Sequence, residues 1–198
     1  MLTDRNGKPL SRSEGEAVMK SKSSITVSIF AALLAICALL STGNSGKILN
    51  NTIAVNDTYA FYQAKSIKQA IAQQELNQLQ LKMLEAGDKL RPEAKQAYDT
   101  QIAQLQADIA RYESDPKTGE GKRELLAQAA RLNAERDAAK ARGPWYSSAS
   151  AALQIAIVLS STSILGVSML LLYGSIGVGA IGTLLLLTGY LSLLNWPL

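Results

Sequence analysis

Charge is segregated along this chain. No Asp, Glu, Lys or Arg occurs at residues 23–46, and none follows Arg142. Every charged residue therefore lies within 1–22 or 47–142. A chain folded around one water-facing core spreads its charge over the whole surface. This one does not, and its 18% charged content falls short of the roughly 25% usual for soluble domains. A membrane-spanning helix needs about 20 predominantly apolar residues, and both uncharged stretches supply them. The expected class is an all-α membrane protein with a highly polar middle.

Residues 1–24 read as a polar N-terminal segment in which Gly7, Pro9 and Gly15 oppose a helix. Residues 25–42 form the first expected transmembrane helix, entered from Lys20 and Lys22. A basic flank before an apolar run also fits a signal peptide. Cys37, preceded by Leu34 and Ala35, fits a lipoprotein site, but Ile36 stands where cleavage requires a small residue. An uncleaved anchor is expected, with Cys37 as a small buried hydrophobe. Residues 147–198 read as a transmembrane helical hairpin, with spans at about 149–173 and 175–194 joined by a turn at Tyr173-Gly174-Ser175. Trp145, Tyr146, Tyr173, Tyr190 and Trp196 fall near the expected ends, where amphipathic rings favour the headgroup level.

Between the spans, residues 43–146 are rich in Ala, Gln, Leu, Lys and Glu, which favour helix. Three segments are expected. The first, about 47–86, carries the apolar rows Ala60, Ala64, Ile67, Ile71 and Ala72, Leu76, Leu79, Met83. The second begins near Pro92, a residue suited to a first helical position. Its Tyr98, Ile102, Leu105, Ile109 and Tyr112 follow the 4-3-4-3 spacing of a heptad seam. Asp115-Pro116, Gly119 and Gly121 interrupt the pattern. A third segment with Leu125, Ala129, Leu132, Arg136 and Ala139 resumes it and stops at Gly143-Pro144. Both ends of this region return to one membrane face, so the segments cannot simply alternate up, down and up. The first is expected to pair with the second and third joined end to end. The full expectation is three transmembrane helices with an extended antiparallel helical hairpin, coiled-coil-like, between the first and second.

The composition excludes much chemistry. With no histidine, there is no His-based acid–base pair, serine triad or His-ligated metal. With one cysteine, there is no intrachain disulfide or thiolate cluster. The net charge of +4 divides evenly between 1–24 and 47–142, and basic residues there alternate with acidic ones, so no nucleic-acid partner is expected. The candidate carboxylates Asp57, Glu113 and Glu124 are scattered among basic neighbours. No catalytic, cofactor-binding or metal-binding residue is expected, nor any cofactor, and the chain is not expected to be an enzyme.

Two surfaces remain. Tyr59, Phe61, Tyr62, Lys65, Ser66 and Lys68 occupy about three helical turns, with Tyr62, Lys65 and Ser66 on one face. They read either as a contact for a partner chain or lipid headgroups, or as aromatic packing against the returning helix near 138–142. Ala152, Ala156, Ser160 and Ser163 form one stripe of small residues, and Ser175, Gly179, Gly182 and Thr183 another. Such stripes permit close helix approach, within the hairpin or to a neighbouring subunit.

The run DTYAFYQAKSIK at residues 57–68, AALQIAIVLSSTSIL at 151–165 and Ala110-Arg111-Tyr112-Glu113 carry a resemblance. With the three-span layout, they resemble an uncharacterised family of small bacterial membrane proteins catalogued as a domain of unknown function, over roughly residues 25–195. Members usually show Trp where this chain has Tyr59. They often carry basic residues in the last turn, where this chain has Tyr173-Gly174-Ser175. The resemblance implies no activity, cofactor or substrate.

The expected function is that of a structural or accessory membrane protein: a scaffold, assembly factor or subunit of a larger complex. Its expected partners are membrane lipids and other membrane subunits or copies of itself. A homo-oligomeric channel or transport-related protein, lined by Ser160–Ser163, is the alternative; ionisable groups, the usual mark of a transport path, are absent from the spans. Lys20 and Lys22 against Lys47 suggest an N-terminus in the cytoplasm; with the bacterial inner membrane that the resemblance implies, residues 43–146 are then expected in the periplasm.

Overall fold

A computed structural model describes residues 12–87 and 91–192. Four helices follow in chain order: α1 (Arg12–Ala86), α2 (Pro92–Glu113), α3 (Lys122–Gly166) and α4 (Met169–Leu191). No strand occurs among the described residues. Helices α1, α3 and α4 are each long and apolar enough to cross a membrane. The chain divides into two compact units, one within Met1–Ile48 and Ala138–Leu198, the other Leu49–Asp137.

In the first unit, Phe30 and Cys37 of α1, Tyr146, Ala149, Leu153 and Ala156 of α3, and Leu186 of α4 form the core. Small residues bring the helices close. A Cβ on Gly179 would run into the Phe30 ring, and one on Gly182 would lie 3.1 Å from the Ala152 side chain. The polar groups inside are paired. Ser23 meets Ser163 at 2.9 Å and Ser160 meets Ser175 at 2.6 Å, hydroxyl to hydroxyl. The Tyr146 hydroxyl donates to the Gly189 carbonyl, and the Asn44 amide to that of Ala139. Among the described residues, no buried side-chain N or O lacks a partner. That pairing matters in lipid, which offers no substitute for a missing hydrogen bond.

Several sequence expectations are corrected here. Helix α1 starts at Arg12 and runs through Gly15; Gly7, Pro9 and Trp196 lie outside the described residues. Burial of Met19 and Ser23 holds this polar stretch helical, since tertiary packing overrides weak propensity. Helix α3 does not stop at Gly143-Pro144 but contains Pro144. The proline cannot donate a backbone bond, yet buried Ala139 and Tyr146 anchor the helix on either side of it. The last turn is not Tyr173-Gly174-Ser175, which lies inside α4. Helix α3 ends at Gly166, Val167 takes φ +45°, and the Ser168 N–H bonds back to the Ser163 carbonyl. That six-to-one bond with a left-handed residue is a Schellman cap, built on valine rather than the usual glycine. Tyr146, expected at the headgroup level, is buried, whereas Trp145, Tyr173 and Tyr190 are exposed.

In the second unit, the α2 positions Tyr98, Ile102, Leu105, Ile109 and Tyr112 are all half-buried, as a narrow seam requires. On α3, Leu125, Ala129 and Ala139 are buried and Leu132 half-buried; Ala139 falls in the first unit. On α1 the covered positions include Asn51, Val55, Thr58, Tyr62, Lys65, Gln69, Ala72, Leu76, Leu79 and Met83. Their spacing is an unbroken 4-3 repeat. The row Ala60, Ala64, Ile67, Ile71 is exposed and lies on the opposite face of α1. Gln69 reaches the Ile109 carbonyl at 3.4 Å, and Gln101 reaches Glu75 at 3.2 Å.

Candidate functional site

Residues 57–68 lie on α1 in the second unit, and the 3.6-residue helical period splits them between two faces. Tyr62, Lys65 and Ser66 turn partly inward. Tyr59, Phe61 and Lys68 are exposed, Phe61 at 64%. Tyr62 and Lys65 meet the end of α2, the connection that follows it and the start of α3. The Lys65 ammonium pairs with Glu120 at 3.1 Å and lies 5.9 Å from the Tyr112 ring centre. The Lys122 ammonium stands over the Tyr62 ring at 5.7 Å. Both are cation–π distances.

Beside them lies a polar knot that the sequence did not disclose. Lys122 donates to the Gln69 side-chain oxygen at 2.9 Å and to Glu113 at 3.1 Å. The Gln69 amide donates to Glu113 at 3.2 Å, and Arg123 adds a 3.5 Å contact. The Gln69 hydrogen bond, then the Lys122 hydrogen bond and charge, hold the Glu113 carboxyl below its ordinary range. One residue on, the Ser114 hydroxyl and Asp115 N–H both donate to Glu124 and lower its pKa. Asp115 is lowered chiefly by the Thr118 hydroxyl. These bonds shape the 114–121 connection between α2 and α3. The available signal was Lys65 and Gln69 on the 4-3 register of Tyr62 and Ala72: polar side chains at seam positions require partners across the seam.

Phe61, Lys65 and Asp57 line a groove of about 420 Å³ with Glu120, Leu125 and Gln128. It presents one aromatic side chain, Phe61, charges of both signs and the apolar Leu125. No cluster of metal-ligating side chains occurs among the described residues.

The small-residue stripes belong to the first unit. Ala156, Ser160, Ser163, Ser175, Gly179 and Gly182 are buried, and Ala152 and Thr183 are half-buried. Ser175 donates to the Ala156 carbonyl at 2.9 Å, Ser163 to that of Ser160 at 2.7 Å, and Thr183 to that of Gly179 at 2.8 Å. The structure thus brings both stripes together inside one chain.

A family model described as a domain of unknown function (DUF4337) matches residues 19–192. No curated protein and no solved structure matches the chain.

Proposed function

The chain belongs to the family described as a domain of unknown function (DUF4337), and from its surfaces we propose that it is a structural or accessory integral membrane protein. It acts as a scaffold, assembly factor or subunit of a larger membrane complex, without catalysis or a cofactor. The observation that carries this reading is uncovered apolar surface on the charged unit: Phe61, Ile67 and Ile71 are 64%, 61% and 60% exposed. Ile67 and Ile71, four residues apart, share one face, and exposed apolar surface of this kind marks contact sites. The Phe61 groove adds shape to it.

In this proposal α1 pairs with α2 and the charged part of α3 as an antiparallel, coiled-coil-like hairpin. Support comes from contact order: Gln69 reaches residues 109 and 113, while Glu75, further along α1, meets Gln101, earlier on α2. The hairpin stands in the periplasm of a bacterium, with the N-terminus on the cytoplasmic side of the inner membrane, since Lys20 and Lys22 flank the first span more densely than Lys47. The pore alternative is disfavoured because the Ser160 and Ser163 hydroxyls are engaged by Ser175 and Ser23. Sizing the complex after gentle extraction tests the proposal. Foreign subunits that co-purify with wild type and are lost from Ile67→Lys/Ile71→Lys support it. A lone monomer, in detergent that preserves other complexes, overturns it.

A further inference from the structure

The outward face of α3 carries one group that does not belong in lipid. The uncharged stretch of α3 runs from Gly143 to Gly166, about 36 Å of helix at 1.5 Å per residue, and Gln154 stands at its midpoint. Gln154 is exposed, turned away from the core of its own unit. The hydroxyls nearby on that side are returned to their own helix: Ser161 donates to the Ile157 carbonyl and Thr162 to that of Val158, both at 2.8 Å. A primary amide is too large to be satisfied that way. It has two N–H donors and an acceptor oxygen. One N–H reaches the Ser150 hydroxyl at 3.1 Å. The carbonyl oxygen and the second N–H have no partner among the described residues. At mid-bilayer no water replaces those bonds.

We propose that Gln154 is the centre of a self-association surface, where the α3 helices of two copies of this chain meet. The proposal rests on the membrane-spanning reading above and assigns one surface to a second copy. Two copies inserted in the same direction are related by an axis along the membrane normal, so each residue meets its counterpart at equal depth. An amide is complementary to itself: each carbonyl accepts the other's free N–H. A foreign span would need its own polar group at the same depth. The neighbouring positions suit the contact. Ser147, Ala151, Gln154, Val158, Ser161 and Leu165 are all exposed and follow a 4-3-4-3-4 spacing, the repeat of a two-helix seam. Ala38, Ser41 and Ser150 line a groove of about 380 Å³ together with Gln154. Small walls let a neighbouring backbone approach closely.

Disulfide cross-linking of the full-length chain in native membranes is the test. Ala151→Cys and Val158→Cys flank Gln154 on the seam, Leu184→Cys samples another exposed face, and wild type, with Cys37 buried, is the blank. Ala151→Cys and Val158→Cys are expected to give homodimers on mild oxidation, and Leu184→Cys is not. Adding Gln154→Leu, which keeps the bulk and stays on an exposed site, lowers the dimer yield about ten-fold, while Gln154→Asn retains part of it. Equal cross-linking at Leu184→Cys, or a yield unchanged by Gln154→Leu, overturns the inference. Capture of a foreign subunit at residue 151 overturns it too, but leaves the accessory-protein reading standing.

Discussion

Gly179 shows how little room the membrane unit leaves for a single methyl group. The Phe30 ring fills the space that a side chain would need. Gly179→Ala is expected to destabilise the protein by about 1–3 kcal/mol, the usual cost of overpacking. Adding Phe30→Leu should recover most of that loss in thermal unfolding by circular dichroism. In the charged unit the sensitive atom is a proton. Glu113 titrates below its ordinary value of 4.5 because the folded state donates hydrogen bonds to its ionised form. A group depressed in this way contributes stability that is complete above the unfolded pKa and lost as pH falls through the folded one. The 114–121 connection is therefore expected to loosen below about pH 4.5, read by amide hydrogen exchange, and Glu113→Gln should weaken that dependence.

Helices are where sequence reasoning both succeeded and failed, for identifiable reasons. The α2 seam was legible because Tyr98, Ile102, Leu105, Ile109 and Tyr112 are all large and apolar or aromatic. The α1 seam was legible only in its later half, as Ala72, Leu76, Leu79 and Met83; in the earlier half Asn51, Thr58, Lys65 and Gln69 hold seam positions while the opposite face carries Ala60, Ala64, Ile67 and Ile71. Hydrophobicity followed the wrong face. The outward aim of Gln154 was not legible, because which face of α3 turns to the core is set by packing against other helices. The turn after α3 was missed because Gly174 advertises flexibility that the chain does not use there, while Val167 adopts the left-handed conformation. Val167→Gly removes that strain at a side chain 42% exposed. It should stabilise the protein by roughly 0.5–1 kcal/mol once the entropy of an unfolded glycine is subtracted, measured as a higher unfolding midpoint. Ile102→Asp with Ile109→Asp places two charges on the half-buried α2 seam. The outcome expected is faster proteolysis of α2 with membrane insertion, followed by carbonate extraction, unchanged.

At the scale of the whole molecule, the two units rely on different forces. The first joins helices through small contacts and paired hydroxyls, the second through a narrow seam and charged partners. High salt should therefore loosen the second more than the first, because exposed ion pairs are screened. The proposed orientation is checked by a reporter fused after Gly87: alkaline phosphatase placed there is expected to be active, and activity of a cytoplasm-only reporter instead would reverse the assignment. The connection from α3 to α4, only Val167 and Ser168, bears on how the chain is made. A hairpin tip without charge presents no charged group for the insertion machinery to carry across, so α3 and α4 can enter the lipid together as one piece. Such a tip adds no directional signal of its own. In the proposed orientation, direction is left to Lys20 and Lys22 of α1, which leave the ribosome long before the tip is synthesised.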